Sequence, residues 1–225
     1  MKAAIICASD DELAPFLPEL EKSETRTEAM LTLHCGKIDK NDIIALYSGV
    51  CKVNASVAAQ VVINRYHPDV IINSGTAGAI CKKLKLFDTV ISTQTAYHDV
   101  ADDILTEFHP FMPSLWFHAD KRLLKAAEQS AKKCGRIFFG RSVTGETFIT
   151  DEGRQRIIEK FDPLAVDMES AAIAHVCYVN GVPFLSVRTI TDTPDKTGVE
   201  EFEKNCKTAS ETAKRITLTI ISEYK

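Results

Sequence analysis

The residues able to do chemistry in this sequence are acids placed just after apolar runs. Asp10, Asp11 and Glu12 follow the first such run, Asp167 and Glu169 flank Met168, and Arg188, Thr191 and Asp192 close the last one. Between them stand Ser74-Gly75-Thr76-Ala77-Gly78 and Thr144-Gly145-Glu146-Thr147-Phe148-Ile149. Carboxyl groups at such points are candidates for general acid–base work. Glycines among hydroxyls let backbone amides approach a ligand closely. Each group also has a plainer explanation. Asp10, Asp11 and Glu12 could cap a helix, Glu169 could complement a helix dipole, Ser74 to Gly78 could be a simple turn, and Arg188 and Asp192 could pair at i, i+4 on the surface.

Other chemistries are struck off by motif. The sequence contains no phosphate-binding G-x-x-x-x-G-K-[ST], no G-x-G-x-x-G after the first apolar run, no H-E-x-x-H and no G-x-S-x-G. Its six histidines are not spaced as metal ligands, so neither a metal nor another cofactor is expected. The seven cysteines are odd in number, scattered and without a C-x-x-C pair, which fits reduced thiols and a cytoplasmic protein. A net charge of -4 leaves no basic surplus for a phosphate polymer, so nucleic acid is not the expected partner. No apolar run approaches the roughly 20 residues of a membrane span. A small neutral or weakly cationic ligand suits this balance.

The elements that must hold these acids follow from hydrophobic spacing. In 225 residues, short apolar runs alternate with helical patterns, the mark of an α/β domain with a largely parallel or mixed sheet. The spacing predicts strands at 2–8, 42–48, 70–73, 89–95, 136–143 and 182–189, and helices at 11–20, 52–66, 120–134, 151–161, 168–179 and 200–223; residues 31–35 could begin an early hairpin. No repeat, linker or composition step divides the chain, so 1–225 reads as one domain. In an open α/β sheet, ligands collect beyond the carboxyl ends of the strands, which is where the acids converge. The segment from Tyr97 to Phe117 stands apart: Phe108, Phe111, Met112, Leu115 and Trp116 lie among prolines without a helical or strand period. A loop so apolar needs cover, either from its own core or from a second subunit or ligand.

Taken in order, Glu12, Ser48-Gly49-Val50, Asn73 to Gly78, Tyr97-His98-Asp99-Val100, Gly145 to Ile149, Asp167-Met168-Glu169 and Arg188 to Asp192 resemble the 5′-methylthioadenosine/S-adenosylhomocysteine nucleosidases of the nucleoside phosphorylase/nucleosidase superfamily. The likeness spans nearly the whole chain. It implies a three-layer α/β/α sandwich around a mixed sheet, and hydrolysis of the N-ribosidic bond of 5′-substituted adenosines to adenine and the free sugar. Cleavage of that bond builds an oxocarbenium-like sugar, for which a carboxylic acid and a carboxylate are both wanted. By the resemblance, Asp192 would protonate or hydrogen-bond N7 of adenine and contact its 6-amino group, with Thr191 helping to hold it, Glu12 would orient and deprotonate the water, and Arg188 would fix that water or Glu12. Glu169 would accept hydrogen bonds from the ribose hydroxyls beside Asp167, and Met168 would pack on the ribose. Phe148 would stack on adenine, Ile149 would read its edge through the backbone, and Thr76, Ala77 and Gly78 would floor the site. Val50, with Val199 or Phe202, would meet the 5′ group, closed by the 97–117 loop of a neighbouring subunit in a homodimer.

Some positions depart from the family pattern. Val50-Cys51-Lys52 replaces the usual Ile-Gly-Lys, Ser9 stands where Met is common, and Ala101 follows Val100 where Asp is usual. These leave the choice among methylthioadenosine, S-adenosylhomocysteine, 5′-deoxyadenosine and an aminodeoxyfutalosine-like nucleoside open. Two other readings compete. A phosphorylase of the same fold would need cationic or amide-rich groups for phosphate, which an acid at Glu12 would repel. A binding module without turnover would not need Glu12, Glu169 and Asp192 together.

Overall fold

The computed structural model describes residues 1–149, 151–196 and 198–224. Its centre is β1 (Lys2–Cys7), whose Ala3 to Cys7 are fully buried. Helices cover it on both sides, so alternate residues enter two different cores: Ala3, Ile5 and Cys7 pack towards α4 (Lys121–Ala131) and α7 (Val199–Glu223), while Ala4 and Ile6 pack towards α2 (Lys52–Tyr66) and α6 (Ser170–Asn180). An apolar run without alternation is the sequence signature of such a doubly covered strand. The result is three layers, as the resemblance implies.

The remaining strands are β2 (Glu21–Glu28), β3 (Leu31–Ile38), β4 (Asn41–Tyr47), β5 (Val70–Ala79), β6 (Thr89–Tyr97), β7 (Phe117–His118), β8 (Ile137–Thr144), β9 (Ala165–Asp167) and β10 (Phe184–Asp192). They join in the order β10-β6-β8-β9-β5-β1-β4-β3-β2, with β7 on β6. Because β10 also pairs with β5, the strands β5, β10, β6, β8 and β9 close a ring, and β1, β4, β3 and β2 extend from it as a wing. The sheet is mixed: β1–β4, β1–β5, β5–β10 and β6–β8 are parallel, whereas β6–β10 and β5–β9 are antiparallel.

The structure departs from the sequence expectations at several points. The stretch 74–78, expected beyond the end of a strand at 70–73 as a ligand-approaching segment or a simple turn, is the second half of β5, paired with β10 from Ser74↔Val187 to Gly78↔Asp192 and with β9 at Gly78↔Val166. Its glycines serve close approach within a strand rather than chain reversal. The helix expected over 11–20 stops early: α1 (Asp10–Leu13) passes into a 3₁₀ helix (Ala14–Glu19) containing Pro15 and Pro18, which remove backbone donors. Asp167 belongs to β9, and α6 begins only at Ser170. The 97–117 segment is not wholly irregular, since it holds α3 (Ile104–Glu107) and leads into β7. Leu105, Met112 and Phe117 fold back on the core there, while Phe108 and Phe111 are exposed. The expected helices at 52–66 and 151–161 coincide with α2 and α5 (Asp151–Phe161).

Candidate active site

The register of β5 against β10 sets opposite one another the residues on which the site is built: Gly75 faces Arg188, Thr76 faces Thr189, and Gly78 faces Asp192. A cavity opens beside these strand ends. Glu12, Val50, Thr76, Ala77, Gly78, Phe148, Ile149, Asp167, Met168, Glu169, Thr191 and Asp192 all line it, joined by Ala8, Ser9, Thr147, Val166, Val199 and Phe202. Of the residues to which the resemblance gives a role, Arg188 alone stays out of the lining, being fully buried, while Asp10, Asp11, Ser74, Gly75 and Glu146 do not line it either. Arg188 forms no surface pair with Asp192.

Glu12 enters from α1. Ser9 caps that helix by accepting from the Glu12 N–H, and the Glu12 side chain turns back into the sheet, 3% exposed. Its Oε2 accepts from the Ala8 N–H at 2.7 Å, and its Oε1 accepts from both the N–H and the hydroxyl of Thr76 at 2.7 Å. A carboxylate held by three donors has no freedom to swing away. The space it fills is the space Gly75 leaves, because a Cβ on Gly75 would lie 2.4 Å from Glu12 Oε2.

Under the cavity floor, Arg188 gathers the acids. Its Nη2 donates to Glu169 Oε2 at 3.1 Å, its Nε lies 3.2 Å from Asp167 Oδ2, and its Nη1 is 3.9 Å from Glu12 Oε1. Burial alone would pull the guanidinium pKa down; the carboxylates of Asp167, Glu169 and Glu12 outweigh it and keep the group cationic. Asp167 is spent on structure, since its Oδ1 accepts from the Thr144 hydroxyl at 2.6 Å and from the N–H groups of Glu169 and Ser170 at the start of α6. Glu169 has its other oxygen on the Cys51 N–H at 3.0 Å. Burial pushes the Glu169 carboxyl up to about 7, against the pull of Arg188 and with the repulsion of Asp167 and Glu12.

Asp192 stands at the other end. Gly78 packs beneath its carboxylate, where a Cβ would lie 3.0 Å from Oδ2. Burial raises its pKa, opposed by the hydrogen bond from the Thr191 hydroxyl (3.1 Å to Oδ1) and by the charge of Arg154. Gly75 and Gly78 are three residues apart on β5, or about 10 Å along the strand. The two acids therefore sit at separate ends of one cavity, with the apolar side chains of Phe148, Met168, Val199 and Phe202 between and around them. Such a site can hold a flat apolar group beside a proton donor and a polar, charge-bearing group beside carboxylates.

Three features carried no role in the sequence reading. The Cys51 N–H that holds Glu169 gives no sequence signal, being backbone. Lys52 binds both oxygens of Asp99 at 2.9 Å. Asn73 could have been noticed as a polar residue directly following the apolar run Val70-Ile71-Ile72, since a buried polar side chain needs partners.

A family model described as the phosphorylase superfamily matches residues 2–222, and the chain belongs to that superfamily. Within it, the 5′-methylthioadenosine/S-adenosylhomocysteine nucleosidase of a Geobacillus species is 35% identical over 235 residues, covering 100% of both chains. The enzyme of the same name from Colwellia psychrerythraea, solved in complex with adenine, superposes with a TM-score of 0.92 at 31% identity, covering 100% of this chain and 96% of its own. The futalosine hydrolase of Helicobacter pylori superposes with a TM-score of 0.90 at 26% identity, covering 99% and 98%.

Proposed function

We propose that this protein is a nucleosidase that hydrolyses the N-ribosidic bond of 5′-methylthioadenosine and S-adenosylhomocysteine, releasing adenine and the 5′-substituted ribose. The observation that carries the reading is the Glu12 carboxylate, fixed by three donors at the cavity wall, where a phosphorylase would need positive charge for its dianion. The full-length relatives named as nucleosidases support it.

In this mechanism adenine lies against Phe148, with the backbone of Ile149 at its edge and Asp192 at N7. Burial keeps Asp192 protonated to higher pH than an ordinary carboxyl, so it can give its proton as the C1′–N9 bond breaks. Glu169 accepts from the ribose hydroxyls, and the developing sugar cation favours its ionised form. Glu12 orients water, the water oxygen bonds to C1′, and the released proton passes to Glu12. Arg188 acts from below, holding Glu169 and Glu12 at their places. Met168 packs on the ribose, and Val50, Val199 and Phe202 meet the 5′ group.

We further infer a cytoplasmic homodimer. The scattered, odd set of seven cysteines supports the reducing compartment. The exposed Ile104, Phe108 and Phe111 of the 97–117 segment support a partner surface. Asp192→Asn tests the central assignment: turnover should fall by two orders of magnitude or more while nucleoside binding persists. Near-full activity in that variant would remove Asp192 from the acid role.

A further inference from the structure

Asn73 lies on β5, two residues before Gly75, and is completely buried. Its Oδ1 accepts from Arg188 Nη2 at 2.6 Å and stands 2.9 Å from the Ser170 hydroxyl, while its Nδ2 donates to the Ile6 carbonyl of β1 at 2.8 Å. A guanidinium has only donors, so the oxygen of the Asn73 amide must face Arg188 and the nitrogen must face Ile6. One side chain thus ties the central strand to the cation that serves the acids. The hydrogens of Nη2 are divided between Asn73 and Glu169, so the Asn73 bond fixes the direction in which the second hydrogen meets Glu169 Oε2 at 3.1 Å. The same rotation sets Nη1, which donates to the Thr76 carbonyl at 3.2 Å and lies 3.9 Å from Glu12 Oε1.

Charge explains why the residue is an amide. The charged and titratable groups around this point are Arg188, Glu12, Asp167, Glu169 and the buried thiol of Cys7. Three carboxylates already share one cation, and a fourth would compete with Glu169 and Glu12 for it in a medium that screens charge poorly. A neutral acceptor orients the guanidinium without drawing on its charge.

We propose that Asn73 is a positioning residue for the hydrolytic reaction: it orients Arg188 so that Glu169 and Glu12 are held where the ribose and the attacking water need them. This rests on the nucleosidase reading above. The test uses Asn73→Ala and Asn73→Asp, each checked for folding by circular dichroism and assayed below its own thermal midpoint. Folded Asn73→Ala should lose about 10- to 100-fold in kcat/KM for 5′-methylthioadenosine, the range set by a misplacement of roughly 1 Å. Its affinity for adenine should stay within about threefold of the parent protein, because the Asp192 end is independent of Arg188. The introduced carboxyl of Asn73→Asp can copy both amide bonds only while it carries a proton. Its kcat should therefore approach that of the parent at low pH and fall as pH rises, on a limb the parent lacks.

A folded Asn73→Ala with kcat/KM within threefold of the parent, or an Asn73→Asp profile that matches the parent at every pH, overturns the proposal. Should Asn73→Ala not fold, the Asn73→Asp profile decides alone. Failure of the parent protein itself to release adenine would instead refute the nucleosidase reading.

Discussion

Replacing Gly75 by alanine would set a methyl carbon 2.4 Å from Glu12 Oε2 and 2.5 Å from its Cδ and Oε1. Ordinary contact needs about 3.4 Å, so the carboxylate must retreat by about 1 Å; the strand backbone at Gly75 has no positive φ, and the perturbation is purely steric. That retreat would stretch 2.7 Å hydrogen bonds from Ala8 and Thr76 beyond useful length. A misplacement of about 1 Å at a reacting group costs on the order of 100-fold in rate, or about 2.7 kcal/mol of barrier. The assay is adenine release from 5′-methylthioadenosine, with adenine affinity measured by calorimetry in parallel. We expect kcat to fall about 100-fold while adenine affinity changes less than about threefold, since adenine belongs to the Gly78 end. A folded Gly75→Ala protein with kcat within threefold of the parent would refute the water-activating role of Glu12.

Cys51 has φ 81° and ψ 164°, a region that essentially only glycine occupies, so Cys51→Gly should stabilise the protein by about 1 kcal/mol, the relief of strain less the chain entropy glycine adds. Urea unfolding checks this, and a lower midpoint in the variant would contradict it. Glu169 offers a pH test. Its folded pKa of about 7 exceeds the ordinary value of 4.5, so the native state binds the extra proton, and its contribution to stability declines as pH rises from about 4.5 through about 7. The stability difference between the parent and Glu169→Gln, followed by urea unfolding across that window, should shift against the parent as pH rises. A difference that is flat or moves the other way would show that burial does not hold the proton on Glu169.

Much of this fold could be read from apolar spacing because the two main apolar clusters draw on long runs of the sequence. Strand β1 shows it through its unbroken run of Ala3 to Cys7, and α2 through its apolar face and its stop at His67 before Pro68, where the chain turns left-handed at φ 46°. What could not be read comes from tertiary demands. Strand β2 is almost wholly exposed, and its charged sequence Glu21-Lys22-Ser23-Glu24 carries no inward face to detect. The three residues of β9 are too few for any period. Gly75 and Gly78 resemble turn residues unless one knows that Glu12 and Asp192 will lie over them. The acids of the cavity were legible because they closely follow strands, and Val50, Phe148, Ile149 and Met168 came with the resemblance, whereas the depth of Arg188 depended on the ring closing through β5 and β10.

Hydrolysis is distinguished from phosphorolysis by product analysis of purified protein with 5′-methylthioadenosine, in phosphate-free buffer and again with phosphate, alongside S-adenosylhomocysteine and 5′-deoxyadenosine. We expect adenine and free methylthioribose without phosphate, at a rate that added phosphate does not raise. Release that depends on phosphate and yields a ribose 1-phosphate would contradict hydrolysis and take the water-activating role from Glu12.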